Sequence, residues 1–149
     1  MTTVQKFDRS MIEKFLRSRN LSFLRDSDGD FVVEWGYDDE QGCALRSTFV
    51  AIGQEESIYR VSMASDKRIP KSDWGRAVMI CNTWNKERSW PKAYLFVRNP
   101  STDTHGLIVL EDVIDLEKGI HQELLDDFSL TSIATAISFW KWAHKEQGL

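Results

Sequence analysis

Three stretches of the chain carry apolar residues at helical spacing, and six shorter runs have the length and composition of strands. Ser10-x-x-Glu13 reads as a capping box opening a helix whose Ile12, Phe15 and Leu16 share a face, with its end expected near Arg19 and Asn20. A short strand over 21–25 leads to the turn Asp26-Ser27-Asp28-Gly29-Asp30. Over 31–37, Phe31, Val33, Trp35 and Tyr37 then fall on one side and Glu34 on the other, the alternation of a half-buried strand. Turns at 38–42 and 53–57 bound strands over 43–52 and 58–64, which makes a four-stranded antiparallel meander. Residues 66–71 link this meander to a central helix capped by Ser72 or Asp73, with Trp74, Ala77, Val78, Cys81 and Trp84 on its buried face. Asn85 falls inside that face, where an unpaired amide would cost about 1–3 kcal/mol, so it is expected to be hydrogen-bonded. Asn82 and Asn85 either tie off the last helical carbonyls and the loop to Pro91, or contact a ligand.

After the helix, residues 93–97 are almost wholly apolar, as in a central strand covered on both faces. A polar loop over 99–106 turns into a strand at 107–110 that continues toward Ile114. In the C-terminal segment Ile133, Ala136, Ile137, Trp140 and Ala143 form the face assigned to the sheet, while Ile120, Leu124, Leu125 and Phe128 point away from it on one continuous wheel. A helix break at 129–132, with Ser129 or Thr131 capping a new start, is preferred over one long helix apolar on two sides. Thr135, Phe139, Trp142 and Glu146 form a second ridge. Either Leu124, Leu125 and Phe128 fold back over it, or Phe139 and Trp142 are an exposed aromatic patch of the kind enriched at interfaces. The fold class is α+β, an antiparallel sheet with helices packed against it in the order α-β-β-β-β-α-β-β-α(α), and residues 1–149 form one domain.

The run Asn82-Thr83-Trp84-Asn85 followed by Pro91-Lys92-Ala93-Tyr94 resembles the signature of the YbjN family, labelled sensory transduction regulators of bacteria. The resemblance covers nearly the whole chain in element order, with the Asn-x-Trp-Asn run and its following strand as its specific part. It implies a fold similar to that of type III secretion chaperones, small α+β proteins that dimerise and bind other polypeptides, and it carries over no catalytic residue. The chaperones have three strands before their middle helix, whereas four are read here.

Composition narrows the chemistry. At 149 residues the chain can bury a proper core without a covalent staple. Cys43 and Cys81 are far apart and lack a CxxC partner, so they read as buried, reduced thiols consistent with cytoplasm. Residues 1–6 lead into a charged helix without the apolar region of a secretory signal, and no segment approaches the ~20 apolar residues of a membrane span. With 19 basic and 23 acidic residues and a net charge of −4, no basic stripe for nucleic acid is visible. Asp26, Asp28 and Asp30 imitate the opening of a calcium loop, but Phe31 and Tyr37 stand where it needs Gly and Glu, and Asp28-Gly29 is a hairpin turn signal. Asp103 and His105 have no recognisable nucleophile, His121 and His144 lack metal-ligand spacing, and the eight glycines sit singly at turns rather than in a phosphate loop.

These readings favour a non-enzymatic cytoplasmic adaptor, regulator or chaperone-like module, a homodimer that binds a polypeptide through apolar surface at Phe139 and Trp142, with no cofactor or metal. The alternative is a small-ligand sensor with a pocket between sheet and central helix, lined by Trp84, Asn85 and Trp90. An enzyme ranks third, for want of a paired acid, base and nucleophile.

Overall fold

A carboxylate starts the first helix of the computed structural model, which describes residues 3–149; Met1 and Thr2 of the N-terminal reading lie outside them. Asp8, rather than Ser10, caps α1 (Arg9–Ser18), its Oδ1 accepting the Ser10 N–H at 2.9 Å. The expected capping box therefore begins two residues early. A charged Asp at the cap also favours the positive end of the helix dipole, and Glu13 is instead drawn to Arg17 and Arg25. Met11, Ile12, Phe15 and Leu16 are buried as one face.

The strands are β1 (Leu24–Arg25), β2 (Phe31–Asp38), β3 (Cys43–Ile52), β4 (Ile58–Ser65), β5 (Ile69–Pro70), β6 (Lys92–Phe96) and β7 (His105–Asp115). They form one antiparallel sheet in which β1, β2, β3, β4 and β7 lie side by side and β5 and β6 both pair with β7. The first strand shrinks to two residues, and the linker at 66–71 supplies β5, which the sequence reading did not foresee. Tyr37 leaves the face of Phe31, Val33 and Trp35, because the register shifts between Trp35 and Asp38. The turn at 26–30 forms as expected: Asp26 Oδ1 accepts the N–H groups of Asp28 and Asp30, both at 2.9 Å, and Gly29 supplies a φ of 86°. Among the described residues no cluster of three His, Cys, Asp or Glu is placed to hold a metal.

Val109 pairs with Ala64 of β4 on one side and with Tyr94 of β6 on the other, so β6 is an edge strand and not the central one its apolar run suggested. Directly opposed residues share a face. The registers thus sort Phe31, Leu45, Phe49, Tyr59, Val61, Met63, Ile108, Leu110 and Ala93 onto one side, where all are buried. The helices meet that side: Phe15 of α1 packs on Phe49 with ring centroids 6.3 Å apart, and Tyr59 bonds Ser129 of the last helix. Val32, Arg46, Thr48, Arg60, Ser62, Val109, Tyr94 and Phe96 occupy the other side, which no helix covers.

A single 3₁₀ turn (Lys71–Asp73) precedes α2 (Trp74–Glu87), and Asp73 makes no side-chain cap bond. The buried stripe is Ala77, Ile80, Cys81 and Trp84, with Val78 exposed. Ile80 replaces Val78 because both stripes have helical spacing, and the one that docks is set by where β6 and the last helix lie.

That last helix, α3 (Gln122–Lys145), is unbroken, which corrects the expected break at 129–132. Neither Ser129 nor Thr131 caps a new start; the hydroxyls of Ser129 and Ser132 bond back to the carbonyls of Leu125 (2.7 Å) and Phe128 (2.8 Å), which lets a serine sit buried in mid-helix. Since the Ser129 proton goes to Leu125, Tyr59 OH donates to Ser129 Oγ at 2.6 Å. The actual cap is His121, whose Nδ1 accepts the Leu124 N–H. Among the described residues no helix is long and apolar enough to cross a membrane.

Asp30, which the sequence offered only as a turn residue, joins α1 to the sheet: its Oδ1 accepts from Arg9 Nε at 3.0 Å and from the Ala51 N–H at 3.2 Å. Asp30→Ala leaves the buried Ala51 amide without its acceptor and Arg9 with Glu56 as its remaining carboxylate partner, and is expected to cost about 1–3 kcal/mol, read as a lower urea midpoint at unchanged m-value. A midpoint equal to wild type would contradict this linking role.

Candidate functional site

Of the five expected site residues, four turn out to be engaged in the fold. Trp84 is buried; its indole N–H donates to the Pro91 carbonyl at 2.9 Å and its ring meets Phe139 edge-on, with centroids 5.3 Å apart. Asn85 donates from Nδ2 to the Ala93 carbonyl (3.0 Å) and accepts the Ala93 N–H on Oδ1 (2.9 Å). Successive residues of a strand turn their peptide groups to alternate neighbours, and those of Ala93 face the outer edge of β6. The Asn85 amide stands in there for a neighbouring strand's peptide and closes an edge that could otherwise template pairing. The amide is hydrogen-bonded as expected, but to the strand rather than to helical carbonyls, and Asn82 makes no side-chain bond among those described.

Phe139 is fully buried, and Trp142 is half-buried with its ring centroid 5.8 Å from Phe139 and 5.7 Å from Trp84. The expected exposed ridge is therefore corrected: α2 covers it through Trp84, and Leu124, Leu125 and Phe128 play no part. Leu124 is itself exposed. The helices thus lie side by side, and the second face of α3 faces α2.

Trp90 is 53% exposed and parts company with Trp84 and Asn85. It precedes a cis peptide bond to Pro91 and lines a cavity of about 410 Å³ between β7 and the first half of α3. Val113, Leu124 and Phe128 form its apolar walls, and Asp112 and Asp127 supply carboxylates. Burial raises the pKa of the half-buried Asp112 carboxyl above its ordinary value, and a hydrogen bond from Ser132 partly offsets this. The cavity beside Trp90 includes neither Trp84 nor Asn85, so it is not the one expected between sheet and α2.

The open face of the sheet is the second feature. Tyr94, Phe96, Leu107 and Val109 are half-open or exposed along it. Its charges are largely spent on one another: Lys92 Nζ lies 2.8 Å from Glu111 Oε1, Tyr94 OH donates to Glu111 Oε2 at 3.2 Å, and Arg46 pairs with Glu34. Burial, and then the Glu111 charge, raise the Tyr94 hydroxyl's pKa. Arg60 makes no ion pair among the described residues, and its Nε is buried without a partner. A hollow of about 680 Å³ at one end runs between Ala44, Arg46, Ala64 and Leu107.

Nucleophile chemistry has little to work with here. Burial pushes both thiols up to about 11, His121 is spent as a helix cap, and His105 Nδ1 meets only Thr104 Oγ1 at 2.9 Å. The sequence reading missed Asp112, Asp127 and the open face; alternation along 58–64 and 107–114 carried the last of these, once both sides of each strand are followed across its partners.

Asn85→Ala is expected to lower stability by about 1–3 kcal/mol and to speed hydrogen exchange at the Ala93 amide above all others in β6. Uniform acceleration along β6 would instead mean general loosening. At pH 8, pKa values of about 11 leave about one thiol in a thousand ionised, so a disulfide reagent should label Cys43 and Cys81 only on denaturation; prompt labelling of the native chain would contradict their burial.

No match arises among curated proteins. The family model of YbjN, described as "putative bacterial sensory transduction regulator", matches residues 8–144. Among solved structures, the crystal structure of YbjN from E. coli, "a putative transcription regulator", superposes with a TM-score of 0.77 over 97% of each chain at 12% identity, which shows a shared fold. Matched over nearly its whole length in sequence and in architecture, the chain belongs to the YbjN family.

Proposed function

We propose that this protein is a non-enzymatic regulatory module of the cytoplasm that works as a homodimer and binds a polypeptide through apolar surface, in a chaperone-like manner. The surface is the open face of the sheet and not the ridge of Phe139 and Trp142. One observation carries the reading: a sheet face without a helix that presents Tyr94, Phe96, Leu107 and Val109 while Lys92 with Glu111 and Arg46 with Glu34 pair beside them. Contiguous apolar surface of this kind marks interaction sites, and side chains mounted on paired strands are held rigid, so a partner loses less entropy on docking. The family's description as a regulator agrees with a module that acts by binding.

Peptide display against the immobilised protein tests this reading. The wild type should enrich apolar peptides, and Val109→Glu or Phe96→Glu should each weaken a chosen peptide by about 2 kcal/mol, roughly thirtyfold in Kd, at unchanged melting temperature. Light scattering should return twice the chain mass. Equal binding by both variants would remove the open face from consideration, and a monomer at all concentrations would remove the homodimer.

A further inference from the structure

The cavity beside Trp90 is unlike the open face, and its chemistry points to one class of ligand. Asp112 and Asp127 take part in none of the ion pairs among the described residues. The Ser132 hydroxyl lies 2.8 Å from Asp112 Oδ2 and 2.8 Å from the Phe128 carbonyl, so a single proton serves two acceptors. The half-buried Asp112 carboxylate thus has one shared donor, no paired cation, and acceptor capacity left open toward the cavity.

The aromatic wall tells the same way. Trp74 and Trp84 carry a cation of this chain, Lys71 and Arg88 respectively, over their rings, as do Phe23, Phe31 and Tyr94. Among the described residues Trp90, like Trp35, Trp140 and Trp142, carries none, and it is the exposed tryptophan and lines a cavity with two carboxylates that make no ion pair. An indole face and a carboxylate attract the same charge, and apolar walls at Val113, Leu124 and Phe128 accommodate an alkyl chain.

We infer that this cavity binds an organic cation, an alkylguanidinium or alkylammonium whose charged head lies between Trp90 and the carboxylates of Asp112 and Asp127 and whose alkyl stem lies against Leu124 and Phe128. A volume of about 410 Å³ suits a ligand of that size and excludes a folded domain. Such a head occurs both in free polyamine-like molecules and on the arginine or lysine side chain of a peptide. The inference does not depend on the open face of the sheet.

The test is a titration of the full ¹⁵N-labelled chain, following the Trp90 indole N–H, assigned by its loss in Trp90→Phe. One arm adds agmatine, and the other a short peptide with one arginine, with its citrulline counterpart as the uncharged control. A saturable shift of the Trp90 signal is expected from agmatine, from the arginine peptide, or from both, and none from the citrulline peptide. Which arm responds identifies the source of the cation. Asp127→Asn, at an exposed position, should weaken binding on the order of tenfold while the other five indole signals stay in place. Asp112→Asn should do the same, and if it disturbs the fold the Asp127 variant decides alone. No saturable shift in either arm, binding of the citrulline peptide as tight as that of arginine, or full affinity in Asp127→Asn would overturn the proposal.

Discussion

Trp84 holds together the parts on which the candidate sites depend. Its ring closes the contact between α2 and α3 against Phe139, and its N–H fixes the Pro91 carbonyl where the chain leaves the helix for β6. One residue later, Asn85 seizes both peptide groups of Ala93. Two adjacent side chains therefore set where the edge strand begins, how it lies against β7, and where Trp90 stands. A smaller residue at Trp84 would leave a cavity and an unbonded carbonyl together, a combination costing about 3–5 kcal/mol.

The asymmetry of the molecule follows from that arrangement. With α1, α2 and α3 all on one side, the helices need apolar stripes facing the sheet and each other, which is why α3 is apolar on two faces without a break. The opposite side of the sheet receives no helix among the described residues, and paired charges, Arg60 and small residues stand there among the apolar ones. β7 runs past the start of β6, so the chain beside Trp90 opens into a cavity rather than a continued ladder. The two candidate surfaces thus arise from the same edge geometry, one above the sheet and one at its margin.

Much of this was legible in the sequence, because the signals that worked were local. The turns at 38–42 and 53–57 bound β3 and β4 to within a residue, Asp28-Gly29 marks a turn, and the Asn-x-Trp-Asn run points to the family. The failures were of partner identity. Val78 and Ile80 are equally good on a wheel, and only the position of β6 and α3 selects Ile80. Ser129 looks like a cap until Tyr59 is seen opposite it. Phe139 and Trp142 look exposed until Trp84 arrives from another helix. Asp112 and Trp90 could not be joined from sequence at all, since what unites them is the register of β6 on β7.

The central claim is that the helix-free face is the working surface, and methyl-resolved NMR of the Ile, Leu and Val side chains tests it most directly. With a bound apolar peptide, the shifts should concentrate at Leu107 and Val109 and leave Val78 and Ile80 of α2 unmoved. Perturbations centred on α2, or none on the open face, would contradict the account.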